Sequence, residues 1–333
     1  MAADKLELSI ALSDNENTRP LHDGEVKVEG VRLLPTRVHP SEMFWRQLKF
    51  GDFDISEMSM SSLLCATARA PTPWVAVPIF TSRSFFHTGI YVRTDSGIEK
   101  PSDLRGKRVG IPEYQQTAAI WTRGVLEHEF GVHARDMEWF MERSPDMSHG
   151  GSTGFEPPSG VKLHYVSRST NLGEMLIAGE IDCILHYVLS QNLVDRSKID
   201  LAKAANVRPL FPDAAAEKRR YFDKTGIFPI NHTVVIRRSL HERHPWIALN
   251  LFTGFLNAKA KVRQGGLDML KPYLEAGVLN AQTQSTLASD LMPYGFKACL
   301  PVLDTIAQYV HEQGLTHRRV DLAEIFATST MDL

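Results

Sequence analysis

Residues 99–124, EKPSDLRGKRVGIPEYQQTAAIWTRG, decide how this chain is read. Pro101 to Lys107 make a turn, and Arg108 to Ile111 form a short strand. The strand runs into the polar group Glu113-Tyr114-Gln115-Gln116-Thr117. Ala118, Trp121, Val125 and Leu126 then recur at helical spacing until Gly131, which predicts a helix over 117–130. A strand ending at the head of a helix is where α/β proteins hold small anions, because the first amides of the helix have no partner within it.

The flanking sequence repeats this architecture. Leu6 to Leu12 and Val31 to Leu34 read as strands. Ser41 to Lys49 reads as a helix with Ser41 as N-cap, and Phe53 to Ser56 as a third strand, a β-α-β unit of an open parallel sheet. Ser59 to Ser62 starts another helix, ahead of strands around Val75–Phe80 and His87–Val92. Residues 143–160, RSPDMSHGGSTGFEPPSG, are rich in Ser, Gly and Pro and read as a mobile surface excursion. Val161–Val166, a helix over Asn171–Ala178 ended by Gly179, and Ile181–Leu185 restore the alternation. An irregular stretch precedes a strand at Thr233–Ile236, and from Pro245 to Ala327 the pattern is almost wholly helical.

The bulk numbers set limits. At 333 residues the chain is long for one domain and comfortable for two. Lys and Arg number 37 against 39 Asp and Glu, with no basic block, so nucleic acid is not an expected partner. No run is long enough to span a bilayer, and MAADKLELSIALSDN lacks the marks of an export signal, which predicts a cytoplasmic protein. Cys65, Cys183 and Cys299 are far apart in apolar settings and read as buried thiols.

The run KPSDLRGKRVGI, the later LGEMLIAGEIDCIL and the closing helical third together resemble the type II periplasmic-binding-protein fold. That resemblance implies two α/β lobes, each a mixed, mostly parallel sheet flanked by helices, with a ligand cleft between them. It places lobe I at 1–92 plus 234–333 and lobe II at 93–233. Within that fold the chain looks closest to the 4,5-dihydroxyphthalate decarboxylase family. The pieces are FDISEMS (53–59), PIFTSRSFFHTGIYV (78–92), GIPEYQQTAAIWTRGVL (110–126), RPLFPD (208–213), YFDKTGIFPINHTVVI (221–236) and HPWIALNLF (244–252). The implied activity is non-oxidative decarboxylation of a hydroxylated aromatic dicarboxylate in aromatic degradation. The competing reading is a solute-binding or sensor protein for a small aromatic or dicarboxylic acid, since fold alone does not make an enzyme. A thiamine-precursor type of enzyme on this scaffold would want a cysteine or histidine nucleophile in the cleft, where Cys65 and Cys183 are poorly placed.

The implied cleft should receive two helix heads. Ser59, Ser61 and Ser62 at one, and Tyr114, Gln116 and Thr117 at the other, offer amides and side-chain donors to carboxylates. In TSRSFFH, alternation would put Arg83, Phe85 and His87 on one face, with Arg83 gripping a carboxylate or, failing that, Glu57 or Glu113. His87 and His232 lie at the expected crossings between lobes, Asn231 beside the second, and His186 at the end of the strand Ile181–Leu185. Most other histidines, His128, His133 and His149 among them, read as surface residues. Decarboxylating a hydroxybenzoate needs a base for the phenol, an acid for the ring carbon and donors for the spectator carboxylate. His87 or His232 is the expected proton donor, Glu113 or the other histidine the base, and Arg83, Gln116 and Thr117 the anchors. A carboxylic acid beside Arg83 would stay ionised and could not give the ring proton, which favours histidine. No cofactor is demanded, and although His87, His186 and His232 could with an acid hold a metal, no ligand spacing marks one, so none is expected. Trp246, Phe252 and Phe255 in the helical third could all be core or leave a face for a homo-oligomer.

Overall fold

The structure, a computed structural model, describes residues 5–190 and 192–333. The chain begins with β1 (Leu6–Leu12), α1 (Arg19–His22), β2 (Val31–Arg37), α2 (Pro40–Phe50), β3 (Ile55–Ser59), α3 (Met60–Arg69) and β4 (Trp74–Arg83). It then crosses to β5 (Ile90–Arg93), β6 (Arg108–Ile111), α4 (Thr117–Phe130), β7 (Glu138–Met141), α5 (His149–Thr153), β8 (Lys162–Tyr165), α6 (Leu172–Ala178), β9 (Cys183–Leu185), β10 (Val207–Pro209) and α7 (Ala214–Thr225). It returns through β11 (Ile230–Arg237) and closes with α8 (Arg238–Arg243), α9 (Trp246–Glu275), α10 (Ala281–Ala288) and α11 (Phe296–Glu312).

Two sheets result, in the orders β2-β1-β3-β11-β4 and β10-β5-β9-β6-β7-β8. In the first, β1 pairs parallel with β2 and β3, while the returning β11 inserts antiparallel between β3 and β4. In the second, β6 to β9 run parallel and β5 pairs antiparallel with β9 and β10. Because β5 belongs to the second sheet and all of β11 to the first, the crossings fall between Arg83 and Ile90 and ahead of Ile230. Both lie earlier than residues 92 and 234. No helix is long and apolar enough to cross a membrane among the described residues.

Most elements sit where local patterning puts them. β6 and α4 have the expected ends, and Gly131 closes α4 at φ 65°, in the left-handed region that favours glycine. The third strand starts two residues late, at Ile55. The Gln47 side chain holds both backbone groups of Phe53, at 3.1 and 3.0 Å, and takes that residue out of the ladder. β7, β10 and α7 were not expected from the sequence, nor was α5. The 143–160 segment is no surface excursion through its first half. Arg143, Ser148, His149, Gly150 and Thr153 are buried, and exposure is general only from Gly154 on. Its glycines serve close packing, since a Cβ on Gly151 would lie 1.6 Å from the Pro145 carbonyl oxygen.

Candidate active site

Between the lobes lies a cavity of about 370 Å³. Its walls come from the starts of α2 and α4, the last residue of β3, the first residues of β11, Arg143, His149 and the 186–190 loop. This is the carboxyl edge of parallel strands, where an open α/β sheet leaves its crevice.

One wall carries a carboxylate–histidine pair. Glu57 is fully buried in the middle of β3, and its Oε2 lies 3.0 Å from Nδ1 of His232 and 2.7 Å from the Thr81 hydroxyl. Its Oε1 accepts from the amide and the hydroxyl of Ser13, each at 2.7 Å. Burial alone would raise the Glu57 pKa; the hydrogen bond and charge of His232, with Ser13 and Thr81, outweigh it and hold the carboxyl below its ordinary range. An ionised Glu57 fixes the hydrogen on Nδ1 and leaves Nε2 of His232, which has no partner among the described residues, at the cavity wall. The ladder between β11 and β4 shifts register on both sides of His232, and the edge of Phe44 packs on its ring at 4.7 Å. Such irregularities re-aim a side chain at the end of a strand.

Four helix heads meet at this cavity, and three are closed from within. At α3, Ser59 accepts from the Ser62 amide at 3.4 Å, and the Ser61 amide donates to the Thr117 hydroxyl at 3.0 Å. At α2, His39 Nδ1 accepts from the Ser41 amide at 3.3 Å. At α5, Glu113 accepts from the amides of His149 and Gly150 at 3.0 and 3.3 Å, and Ser148 from that of Gly151 at 2.8 Å. At α4 the N-cap Gln116 makes no capping bond, and its buried Nε2 has no partner among the described residues. Gln116, Thr117 and Ala118 line the cavity; the Gln116 backbone amide donates to the Glu113 carbonyl, and those of Thr117 and Ala118 have no partner among the described residues.

The opposite wall has a buried ion pair at its base. Arg143, 1% exposed, donates to both oxygens of Asp195 at 2.6 and 3.0 Å and to the Ser41 hydroxyl at 2.6 Å. Burial would raise Asp195, but the charge and hydrogen bonds of Arg143 hold it down at about 2. His149 Nε2 lies 3.1 Å from the Ser41 carbonyl, and burial followed by the Arg143 charge pushes this imidazole to about 3. His186, the one non-glycine residue with left-handed backbone among those described, at φ 56°, lines the cavity edge-on to Phe86. Burial, then Arg143, lowers it to about 4, so it is neutral at neutral pH and a weak base until an anion beside it raises its basicity.

The structure therefore brings Ser59, Gln116, Thr117, His186, Asn231 and His232 to one cavity. Others expected there stand elsewhere. Arg83 points away, donating to the carbonyls of Phe228 and Pro293 at 3.2 and 2.8 Å. His87 is buried 3.1 Å from Glu217 beside Tyr221. The alternation expected over Arg83-Phe85-His87 is off by one: Ser82 and Phe86 face the cavity, and Phe86–Gly89 is a 3₁₀ turn, not a strand. His87 is thus far from forming a cluster with His186 and His232, and no group of three His, Cys, Asp or Glu placed to hold a metal occurs among the described residues. Ser61 is wholly buried, donating to the Gln115 carbonyl at 2.6 Å. Tyr114 lies beneath Arg123, whose guanidinium is 3.8 Å from its ring centre, and Glu113 sits behind Arg143 as the cap of α5. His149 is no surface residue but part of the wall. The three thiols are buried, with Cys65 pushed up to about 12 by burial. The sequence does not single out Arg143, and it offers Glu57 only as a partner for Arg83; the structure sets both at the cavity, Arg143 in its wall and Glu57 behind His232. A lone acid in the otherwise compact run of β3 was a signal for Glu57.

The fold is a two-lobed α/β clamshell, and its cleft sets an open helix head beside a carboxylate–histidine pair, an arrangement suited to a small anion next to an ionisable imidazole. Residues 38–152 match the family model described as the phosphonate periplasmic substrate-binding protein of an ABC transporter. The chain is similar to a 4,5-dihydroxyphthalate decarboxylase of Comamonas testosteroni, at 35% identity over 98% of both chains. It is similar also to one of Pseudomonas putida, at 40% over 54% of this chain and 70% of that one. Among solved structures it resembles the alkanesulfonate-binding protein SsuA of Xanthomonas axonopodis pv. citri, with a TM-score of 0.57 at 16% identity over 98% and 99% of the two chains, which shows the type II periplasmic-binding-protein-like fold. The chain belongs to the 4,5-dihydroxyphthalate decarboxylase family, a family of carboxy-lyases.

Proposed function

We propose that the chain decarboxylates a hydroxylated aromatic dicarboxylate, 4,5-dihydroxyphthalate, to protocatechuate and CO₂ with no change of redox state. The observation that carries the reading is the Glu57-held His232, facing a cavity whose neighbouring helix head is left uncapped. The spectator carboxylate takes the amides at the start of α4 and the free Gln116 amide nitrogen. Neutral His186 draws the proton from the hydroxyl para to the departing carboxylate, and electron density moves to the ring carbon bearing that carboxylate. His232 delivers its Nε2 proton to that carbon, giving a dienone; the C–C bond electrons then return to the ring as CO₂ leaves. Glu57 stabilises the imidazolium before transfer and keeps the ring in position. The phenolate finally regains the proton held by His186.

The test is incubation of purified protein with 4,5-dihydroxyphthalate, following CO₂ and protocatechuate. Turnover is expected, while phthalate, which lacks the para hydroxyl, should inhibit competitively and release nothing. Saturable binding of 4,5-dihydroxyphthalate without CO₂ would overturn the reading.

A further inference from the structure

The first half of α9 lays Ile247, Leu251, Phe255 and Ala258 into the core, each fully buried. The same stripe, three or four residues apart, continues as Val262, Gly265 with Gly266, Met269 and Tyr273, after the body of the protein has ended. Met269 is 76% and Tyr273 55% exposed. From Ala260 to Leu291, the rest of α9 and all of α10, no residue whose exposure is described is buried. This hairpin is tied at its root, where Lys259 donates to Asp290 at 2.7 Å and to the Met292 carbonyl. Beyond that root it has no core of its own.

We infer that this arm is a self-association surface, on which a second copy of the chain buries the exposed half of the stripe by an antiparallel crossing of the two α9 helices. Three observations select a second copy. The arm carries Lys261, Arg263 and Lys271 against Asp268, Glu275 and Asp290, three charges of each sign, so like arms meet without net repulsion and nothing favours an acidic or basic partner. A Cβ added at Gly265 or Gly266 would meet no atom within 4 Å among the described residues beyond the helix's own backbone. Two mid-helix glycines cost about 1 kcal/mol each, and packing within the chain offers no reason for them. At the centre of an antiparallel pair they let the backbones approach, with Met269 of one copy beside Val262 of the other. Ala260 to Glu275 is about 24 Å of helix, and covering one face of it together with α10 removes on the order of 700 Å² per chain, close to the roughly 800 Å² per partner of stable interfaces.

The test is sedimentation velocity over a hundredfold range of concentration, comparing the unaltered chain with Met269→Glu/Tyr273→Glu. The unaltered chain should sediment at twice the 37.4 kDa of one copy, or a multiple of that. The variant should show half the mass with unchanged circular dichroism, because neither side chain is in the core. Amide exchange over 262–275 in the unaltered chain should slow as association proceeds, which gives a reading even if the variant folds poorly. A monomer at every concentration, a mass that the substitutions leave unaltered, or exchange independent of association would each overturn the proposal.

Discussion

The heads of α3 and α4 lie side by side in the cleft, joined by the 2.8 Å contact between the hydroxyls of Ser59 and Thr117, and they use their amides in opposite ways. At α3, serine and threonine oxygens consume them, which stabilises the fold and leaves nothing for a ligand. At α4 the N-cap is a glutamine that caps nothing. An uncapped helix start forgoes about 1 kcal/mol of stability, and it survives where a bound anion supplies the missing acceptor. Closed heads therefore report on folding and the open head on binding, and substitutions should separate the two.

The largest expected effect leaves both heads intact. His232→Gln removes the proposed proton donor and should lower kcat about 1,000-fold with KM changed little, since a general acid contributes roughly 100- to 10,000-fold and the α4 head, the proposed carboxylate site, is untouched. Steady-state kinetics with 4,5-dihydroxyphthalate check it. A rise in KM at constant kcat would mean that His232 binds and does not transfer a proton.

Next comes the buried pair behind the wall. Asp195→Asn removes the carboxylate that pairs with Arg143 through two hydrogen bonds, leaving only Glu113, at 3.8 Å, among the described residues, and should cost about 3 kcal/mol of unfolding free energy in urea. The pH dependence follows. The Asp195 pKa is about 2 in the folded chain against 3.8 ordinarily, so its contribution is present above the ordinary value and lost as pH falls through that interval. His149 and His186, at about 3 and 4 against 6.5, act in the same direction. The unfolded chain takes up their protons first, and stability declines as pH drops below about 6.5. Acid unfolding of the parent should begin near there, and Asp195→Asn should flatten the curve below about pH 4.

What the sequence disclosed divides along the range of the forces involved. The helix heads, the strand Arg108–Ile111 and the Gly131 stop are set by neighbours within a turn or two, and periodicity and capping residues display them. Arg83 and His87 were misplaced because a single residue of register decides which face a side chain takes, and the 3₁₀ turn at Phe86 breaks the alternation that was assumed. Arg143 and His149 lie in a run whose Ser, Gly and Pro content reads as loop. Their burial is imposed by Ser41 and Asp195, 102 and 52 residues from Arg143. Burial set by such remote partners leaves no local pattern to read.

The comparison of the two heads is sharpest in a pair of smaller changes. Gln116→Asp gives α4 the cap it lacks. The carboxylate should accept from the amides of the first turn, raise unfolding free energy by about 1 kcal/mol, and occupy the place proposed for the substrate, raising KM about 30-fold. A change that makes the protein more stable and the enzyme worse is hard to explain by general damage. Ser59→Ala does the reverse at α3, removing the cap and its contact with Thr117, for a loss of about 1 kcal/mol, or about 2 °C in Tm for a chain of this size. Its KM should stay within about twofold, since the one amide it frees, that of the fully buried Ser62, does not line the cavity. Thermal melts beside Michaelis kinetics on both variants decide the matter. If Ser59→Ala raised KM as far as Gln116→Asp does, the α3 head would also be holding the substrate, and the division between a closed head for stability and an open head for binding would fail.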